Sequence, residues 1–257
     1  MMDEAWRYIK TILRICGVLA LGLLLLISWN ALERKKAKEQ AELIFMRDKG
    51  ESAVLLSMDG CVVLDAGDEE GGKYLFELLK SRGVDKIDCL VLSSPADRHI
   101  KGAAYLLDHI EISQILTPYY EGGSESFRSL RDKALMMRIP MYPIYRHRLF
   151  HYGELDIRVF APEKFYYDEQ KNYTLAFSFQ HGEVSGLFLH GGGRERVREV
   201  LRLPKGEVDI CSLSEKIKEE EKTALLEKLS PEILIEDGMS AGSYISDARK
   251  IRRQGGE

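Results

Sequence analysis

Apolar residues follow three different rhythms along this chain. Near the N-terminus an uninterrupted run, "ICGVLALGLLLLISWNAL", fills residues 15–32 without a charge. From Leu43 the pattern breaks into short apolar runs separated by turn residues. "LIFM", "AVLLS" and "CVVLDAG" read as strands, the last closing on a glycine turn. "GKYLFELLKSRG" places its apolar residues on one helical face and predicts a helix that ends at Gly83. "KIDCLVLSS" predicts a strand, "IKGAAYLLDHI" a helix starting near Ile100, and "EISQILTP" a further strand. Strand and helix alternating in this way predict a sheet covered by helices.

The second half is richer in strands. "LDIRVFAP" and "YTLAFSFQHGEVSGLFLHGGG" read as consecutive β-strands, with Leu175, Phe177 and Phe179 alternating with Ala176 and Ser178. His181-Gly182 predicts a tight hairpin turn. After "VDICSLS" comes a charged helix, "EKIKEEEKTALLEKLS", whose lysine–glutamate run reads as a solvated face, then Pro231 and the strand "EILIED". One α/β domain with two sheets accounts for this order.

The N-terminal run needs a different solvent. Eighteen residues at ~1.5 Å each give about 27 Å, close to the hydrocarbon thickness of a bilayer. Trp29 stands where an interfacial anchor stands. A positive segment precedes the run, as in a signal peptide, but no small-x-small cleavage site follows it and "ERKKAKEQAE" continues as a charged helix. The expectation is a single-pass anchor over 15–32, preceded by segment 1–14 and followed by a charged helical linker, 33–42, with the α/β domain over 43–245 and a basic tail, 246–257. Arg7, Lys10 and Arg14 lie before the span and Arg34, Lys35, Lys36 and Lys38 after it, so charge does not orient it.

Composition narrows the partners. The 257 residues carry a net charge of −4 and point to no polyanion partner. The four cysteines have neither metal-ligand nor redox spacing; Cys16 lies in the apolar run, and Cys61, Cys89 and Cys211 in strand-like stretches. "ARKIRRQ" near the C-terminus is basic, read as a surface helix or as a contact to nucleic acid or anionic lipid. The aromatic stretches "TPYYEGG" and "EKFYYDEQ" are loop-like, either packing over the domain edge or forming a partner surface.

Chemistry is expected where the strand Leu90–Leu92 runs into "SSPADRH", since strand-end loops carry the catalytic groups of α/β enzymes. Together with "RDKGES" at 47–52, "VLDAG" ending at Gly67, "VDKIDCLVLSS", "NYTLAFSF" from Asn172, "LFLHGG", "CSLSE" and "PEILIED", the order of segments resembles the metallo-β-lactamase fold. Specifically, it resembles the domain of ComEC-type competence proteins and their free-standing relatives. It covers roughly residues 43–245 and implies an αββα sandwich and, in the family, a zinc-dependent hydrolase. The family's ligand positions fall here on Ser94, Ala96, Arg98, His99 and Gly192, of which only His99 is a ligand type. Zinc needs three or four imidazole, carboxylate or thiolate donors. A divalent cation about 4 Å from a guanidinium is repelled by several kcal/mol at an effective dielectric of about 20.

The expected protein is therefore a membrane-anchored pseudoenzyme without metal cofactor, binding or scaffolding at the cell membrane, with the resemblance placing its domain outside the cytoplasm. The alternatives are a ComEC-like metallohydrolase or nuclease with an atypical site, or an accessory protein of DNA uptake or envelope assembly that binds a polyanion without cutting it. Asp65 and Gly67 are expected to support the site, Asp65 by pairing with a neighbour such as Arg98. His99 caps or packs the helix start. A remnant metal site would combine His99, His190 and Asp97, and an anion site would use Arg98 with His99 and His190.

Overall fold

The computed structural model describes residues 19, 21–29, 31–32, 40–46, 51–204, 206–214, 216–236 and 242–254. The chain divides into two compact units, Met1–Glu39 and Gln40–Glu257. In the first, the described residues are helical, with their leucines, Ile27 and Trp29 exposed. No helix among the described residues is long and apolar enough to cross a membrane, and the expected span 15–32 lies in part outside them, as do Cys16 and most of "RDKGES".

The second unit is four layers deep because its strands alternate between two apolar partners. In β1 (Ala41–Met46), Leu43 and Phe45 face the opposing sheet while Ile44 and Met46 face helices. An eight-stranded sheet joins, in spatial order, β16 (Ile251–Arg253), β15 (Gly242–Ser246), β1, β2 (Ser52–Ser57), β3 (Gly60–Leu64), β5 (Cys89–Val91), β7 (Ile115–Pro118) and β8 (Met141–Ile144). A six-stranded sheet joins β14 (Ile233–Ile235), β13 (Ile210–Leu213), β12 (Val184–Leu189), β11 (Ala176–His181), β10 (Leu155–Phe160) and β9 (Arg148–Tyr152). Two short strands, β4 (Lys86–Ile87) and β6 (Glu111–Ile112), pair separately. Phe45, Leu55 and Leu64 meet Phe177, Phe188 and Ile210 between the large sheets. Each such side chain contributes about 1.5–3 kcal/mol by leaving water.

Helices close both outer faces. α1 (Glu69–Ser81), α2 (Asp97–His109) and α3 (Glu125–Met136) cover the first sheet through Leu75, Leu79, Leu106 and Leu130. α4 (Arg194–Arg202) and α5 (Glu219–Leu229) cover the second through Val197, Val200 and Leu225. This is the αββα sandwich that the order of segments predicted.

Several boundaries move. α2 begins at Asp97, not Ile100, and the hairpin turn is centred on Gly182 and Glu183, since His181 pairs with Val184. Helices α3 and α4 and strands β8 and β9 went unread. Residues 246–257 are not simply a tail: Ile251–Arg253 of "ARKIRRQ" form β16, paired with β15, so the segment is neither a helix nor outside the domain. Cys61, Cys89 and Cys211 are buried and in no disulfide, as their placement in strands implied.

Candidate functional site

The two sheets carry parallel strands, and the residues that follow their carboxyl ends converge. β3 is followed by Asp65, β5 by Ser93 and Ser94, and β12 by His190, while Ser212 lies on β13 beside them. A crevice at the carboxyl ends of parallel strands is where open α/β sheets place ligands. Here it is closed: Asp65, Ser93, His99, His190 and Ser212 are all fully buried.

Asp65 stands at the centre. Its φ of 56° puts it in the left-handed region, which asparagine and aspartate tolerate better than other side chains. Its backbone N–H donates to Val91 O at 2.7 Å, locking the turn to β5. Gly67 follows at φ 68° and accepts from Gly102 N at 3.1 Å. A Cβ on Gly102 would lie 2.0 Å from Ala66 O, so only glycine lets α2 settle on this turn. That approach carries His99, in the first turn of α2, into the core.

Every described group reaching the Asp65 carboxylate is a donor. Ser93 N donates to Oδ1 at 2.6 Å and Ser93 Oγ to Oδ2 at 2.7 Å. His190 Nδ1 lies 3.1 Å from Oδ2, and its Nε2 is 3.1 Å from Ser212 Oγ. His99 Nδ1 is also 3.1 Å from Oδ2 but lacks the alignment of a hydrogen bond, so that contact is electrostatic. Burial alone would raise the carboxyl pKa; the His99 and His190 imidazoles outweigh it and hold Asp65 well below the usual carboxylate range. The edges of Phe177 and Phe188 wall His190 at 6.1 and 6.2 Å.

Arg98 does not pair with Asp65 as expected. Its Nε donates to His99 Nε2 at 2.8 Å, and the half-buried Arg98 reaches the fully buried Asp65 only through that ring. Accepting that bond requires an unprotonated Nε2, which leaves the His99 ring proton on Nδ1, the nitrogen 3.1 Å from Asp65 Oδ2. Guanidinium, imidazole and carboxylate thus form one line from the half-buried surface to the core. The sequence also grouped Asp97 with the histidines; instead Asp97 turns away to Lys101 at 3.2 Å, and the histidines meet on Asp65. Ser94 Oγ accepts from Ala96 N at 3.3 Å, within the turn. Gly192, at φ 133°, lies in the glycine turn before α4.

The donor set does not fit zinc. A ligating imidazole must offer a lone pair, and that of His99 Nε2 is already taken by Arg98. His190 is held between Asp65 and Ser212, and both Asp65 oxygens accept hydrogen bonds. Ser94, Ala96 and Gly192 supply no substitute. Among the described residues no group of three or more histidine, cysteine, aspartate or glutamate side chains is arranged to hold a metal ion.

A second buried network, unread in the sequence, holds the flank of this site. Arg196, 1% exposed, donates from Nε to Thr174 O at 2.6 Å and from its terminal nitrogens to Phe160 O at 2.7 Å and Glu199 Oε2 at 2.9 Å. The Tyr167 hydroxyl donates to the other Glu199 oxygen, and Asn172 Oδ1 accepts from Arg196 N at 3.2 Å near the start of α4. The network fixes residues 160–174, and Leu175 N then donates to Ser93 O at 2.7 Å. The arginine and glutamate three residues apart in "RERVREV" were visible, but nothing in the sequence marked them as buried.

No protein family's sequence profile matches the chain, and no curated protein matches it in sequence. Solved structures do match in shape. The metallo-β-lactamase fold protein YhfI from Bacillus subtilis superposes with a TM-score of 0.54 at 8% identity, over 80% of this chain and 99% of that one. A diphosphatase of the PhnP family gives 0.50 at 13% identity, over 78% and 87%. A mutant of the CmlA β-hydroxylase gives 0.56 at 10% identity, over 77% of this chain and 46% of its own. The fold is therefore that of the metallo-β-lactamases.

Proposed function

We propose that this metallo-β-lactamase-fold chain is a ComEC-type relative that works without a catalytic metal, binding or scaffolding at a membrane. The observation that carries the reading is the Arg98–His99–Asp65 line, in which a guanidinium occupies the imidazole nitrogen that a metal would need. The permanently charged Arg98 then reaches the buried carboxylate only through the His99 ring. The hydrolase or nuclease alternative lacks free ligands in this arrangement. Binding of an anion without cutting keeps one feature in its favour: a Cβ placed on Gly191 would lie 3.5 Å from an Arg98 terminal nitrogen, so the guanidinium borders the glycine turn.

Metal analysis of the purified chain tests the reading. Far less than one zinc, manganese or iron per chain is expected, with no phosphodiesterase activity. A stoichiometric, chelator-sensitive metal whose removal abolishes an activity would overturn it.

Membrane attachment is a separate part of the proposal, supported by the uncharged run at 15–32 and by the exposed leucines of its described residues. We take the domain to face away from the cytoplasm, as in the proteins it resembles. Attachment by hydrophobic burial predicts retention in the membrane fraction through high salt and alkaline carbonate, both of which strip charge-held proteins. Appearance of a shortened, soluble chain in the wash would refute the anchor while leaving the metal question untouched.

A further inference from the structure

The two large sheets end on the same side, and a groove opens there. β8 is the outer strand of the first sheet and β9 the outer strand of the second, joined directly by residues 145–147. The groove holds about 490 Å³. Partly buried Phe150 and the half-exposed Tyr142 and Tyr145 supply its accessible apolar surface over the buried Leu116 and Ile144, and Arg146 and Arg148 complete its lining. Beyond the end of β8 the aromatic surface continues: Tyr119 meets Tyr145 edge-on at 6.4 Å and Phe165 at 5.9 Å. Phe165 is 72% exposed. The two aromatic stretches that the sequence left open therefore meet here.

We infer that this groove is a docking surface for an acidic, extended segment of a protein partner, which seats an aromatic or aliphatic side chain against Phe150, Tyr142 and Tyr145. Charge carries the choice. The side chains of Arg146 and Arg148 are exposed and make no ion pair or hydrogen bond among the described residues, in a chain whose net charge is −4. Two unpaired guanidinium groups beside an apolar floor match carboxylates flanking an apolar anchor. Nucleic acid fits less well, because its affinity grows with the number of phosphates neutralised and two arginines neutralise few. A second copy of this chain across a two-fold axis would set Arg146 and Arg148 against themselves.

Side chains, not strand addition, make the recognition. Ile115 N donates to Pro140 O and Tyr119 N to Ile144 O, so the even-numbered residues of β8 turn to β7 and Pro143 turns outward. Having no N–H, Pro143 interrupts the edge that an added strand would use. The inference is independent of whether the chain is metal-free or anchored.

The test uses the full chain in detergent micelles and fluorescence anisotropy with four probes. One is a labelled peptide alternating glutamate with phenylalanine and leucine. The second replaces its glutamates by lysine, the third replaces its apolar residues by serine, and the fourth is an oligothymidine. We expect binding of the acidic apolar peptide alone. Arg146→Glu combined with Arg148→Glu should weaken it at least about tenfold and admit the lysine peptide, with the melting temperature unchanged because both positions are exposed. Failure of the acidic peptide to bind, equal binding by the doubly reversed variant, or undiminished binding of the serine peptide would each overturn the proposal. Oligothymidine binding that the reversal abolishes, without peptide binding, would assign the groove to nucleic acid. A dimer lost on reversal would assign it to a second copy.

Discussion

Asp65→Asn should destabilise the domain by about 3–5 kcal/mol, the range found when one partner of a buried charged pair is removed. The substitution keeps the shape of the side chain, and asparagine accepts the left-handed backbone that Asp65 adopts at φ 56°. What changes is the chemistry. Ser93 N and Oγ and His190 Nδ1 donate to the carboxylate, with His99 Nδ1 3.1 Å away, and an amide turns a donor against them. His99 cannot adapt by moving its proton, because its other nitrogen accepts from Arg98. Urea unfolding of the two proteins measures the loss; a change under 1 kcal/mol would refute the central role given to Asp65. The pH dependence has a definite sign. Its folded pKa is held below the ordinary carboxylate value, so below about pH 4 the unfolded chain takes up a proton that the native chain refuses. The stabilisation is complete above that pH and declines as pH falls toward the native pKa. The acid limb of the stability profile should be steeper in the wild type than in Asp65→Asn.

The second large effect is expected at Arg196. Arg196→Ala should cost about 3–5 kcal/mol by leaving Glu199 buried with an unpaired charge. Replacing both residues by apolar ones of similar size often relieves such a cost, but here only partly. Arg196 also satisfies Thr174 O and Phe160 O, and each carbonyl left buried without a donor costs about 1–3 kcal/mol. Arg196→Met with Glu199→Leu should therefore remain destabilised, whereas Glu199→Gln, which keeps an acceptor for Tyr167, should cost less than Arg196→Ala. A double variant as stable as the wild type would show that the carbonyl bonds contribute nothing. Because this network braces residues 160–174 against α4, the single variants should also speed amide exchange at Leu175 N, which donates to Ser93 O.

Periodicity, turn chemistry and the order of segments determined much of this protein. Leu43 and Phe45 against Ile44 and Met46 already specified two apolar faces for β1, and Gly83 the end of α1. That serine, alanine, arginine and glycine offer no zinc ligand was legible because ligand chemistry depends on residue type alone. Short edge strands were not. β8 and β9 carry Pro143 and the exposed Tyr142 and Arg148, with no alternation strong enough to announce a strand. β16 exists because β15 offers it a ladder, and its own basic sequence says nothing of that. Partner choice at the site was hidden for the same reason. Asp65, Arg98, His99 and His190 were all named as candidates, yet which of them touch depended on the approach of α2 over Gly102 and on the meeting of two sheets. Only that packing put both imidazoles on one carboxylate and the guanidinium on the far side of His99. Sequence determines which groups are available; tertiary structure decides which are buried together, because contact between residues far apart in the chain is set by packing against the rest of the fold.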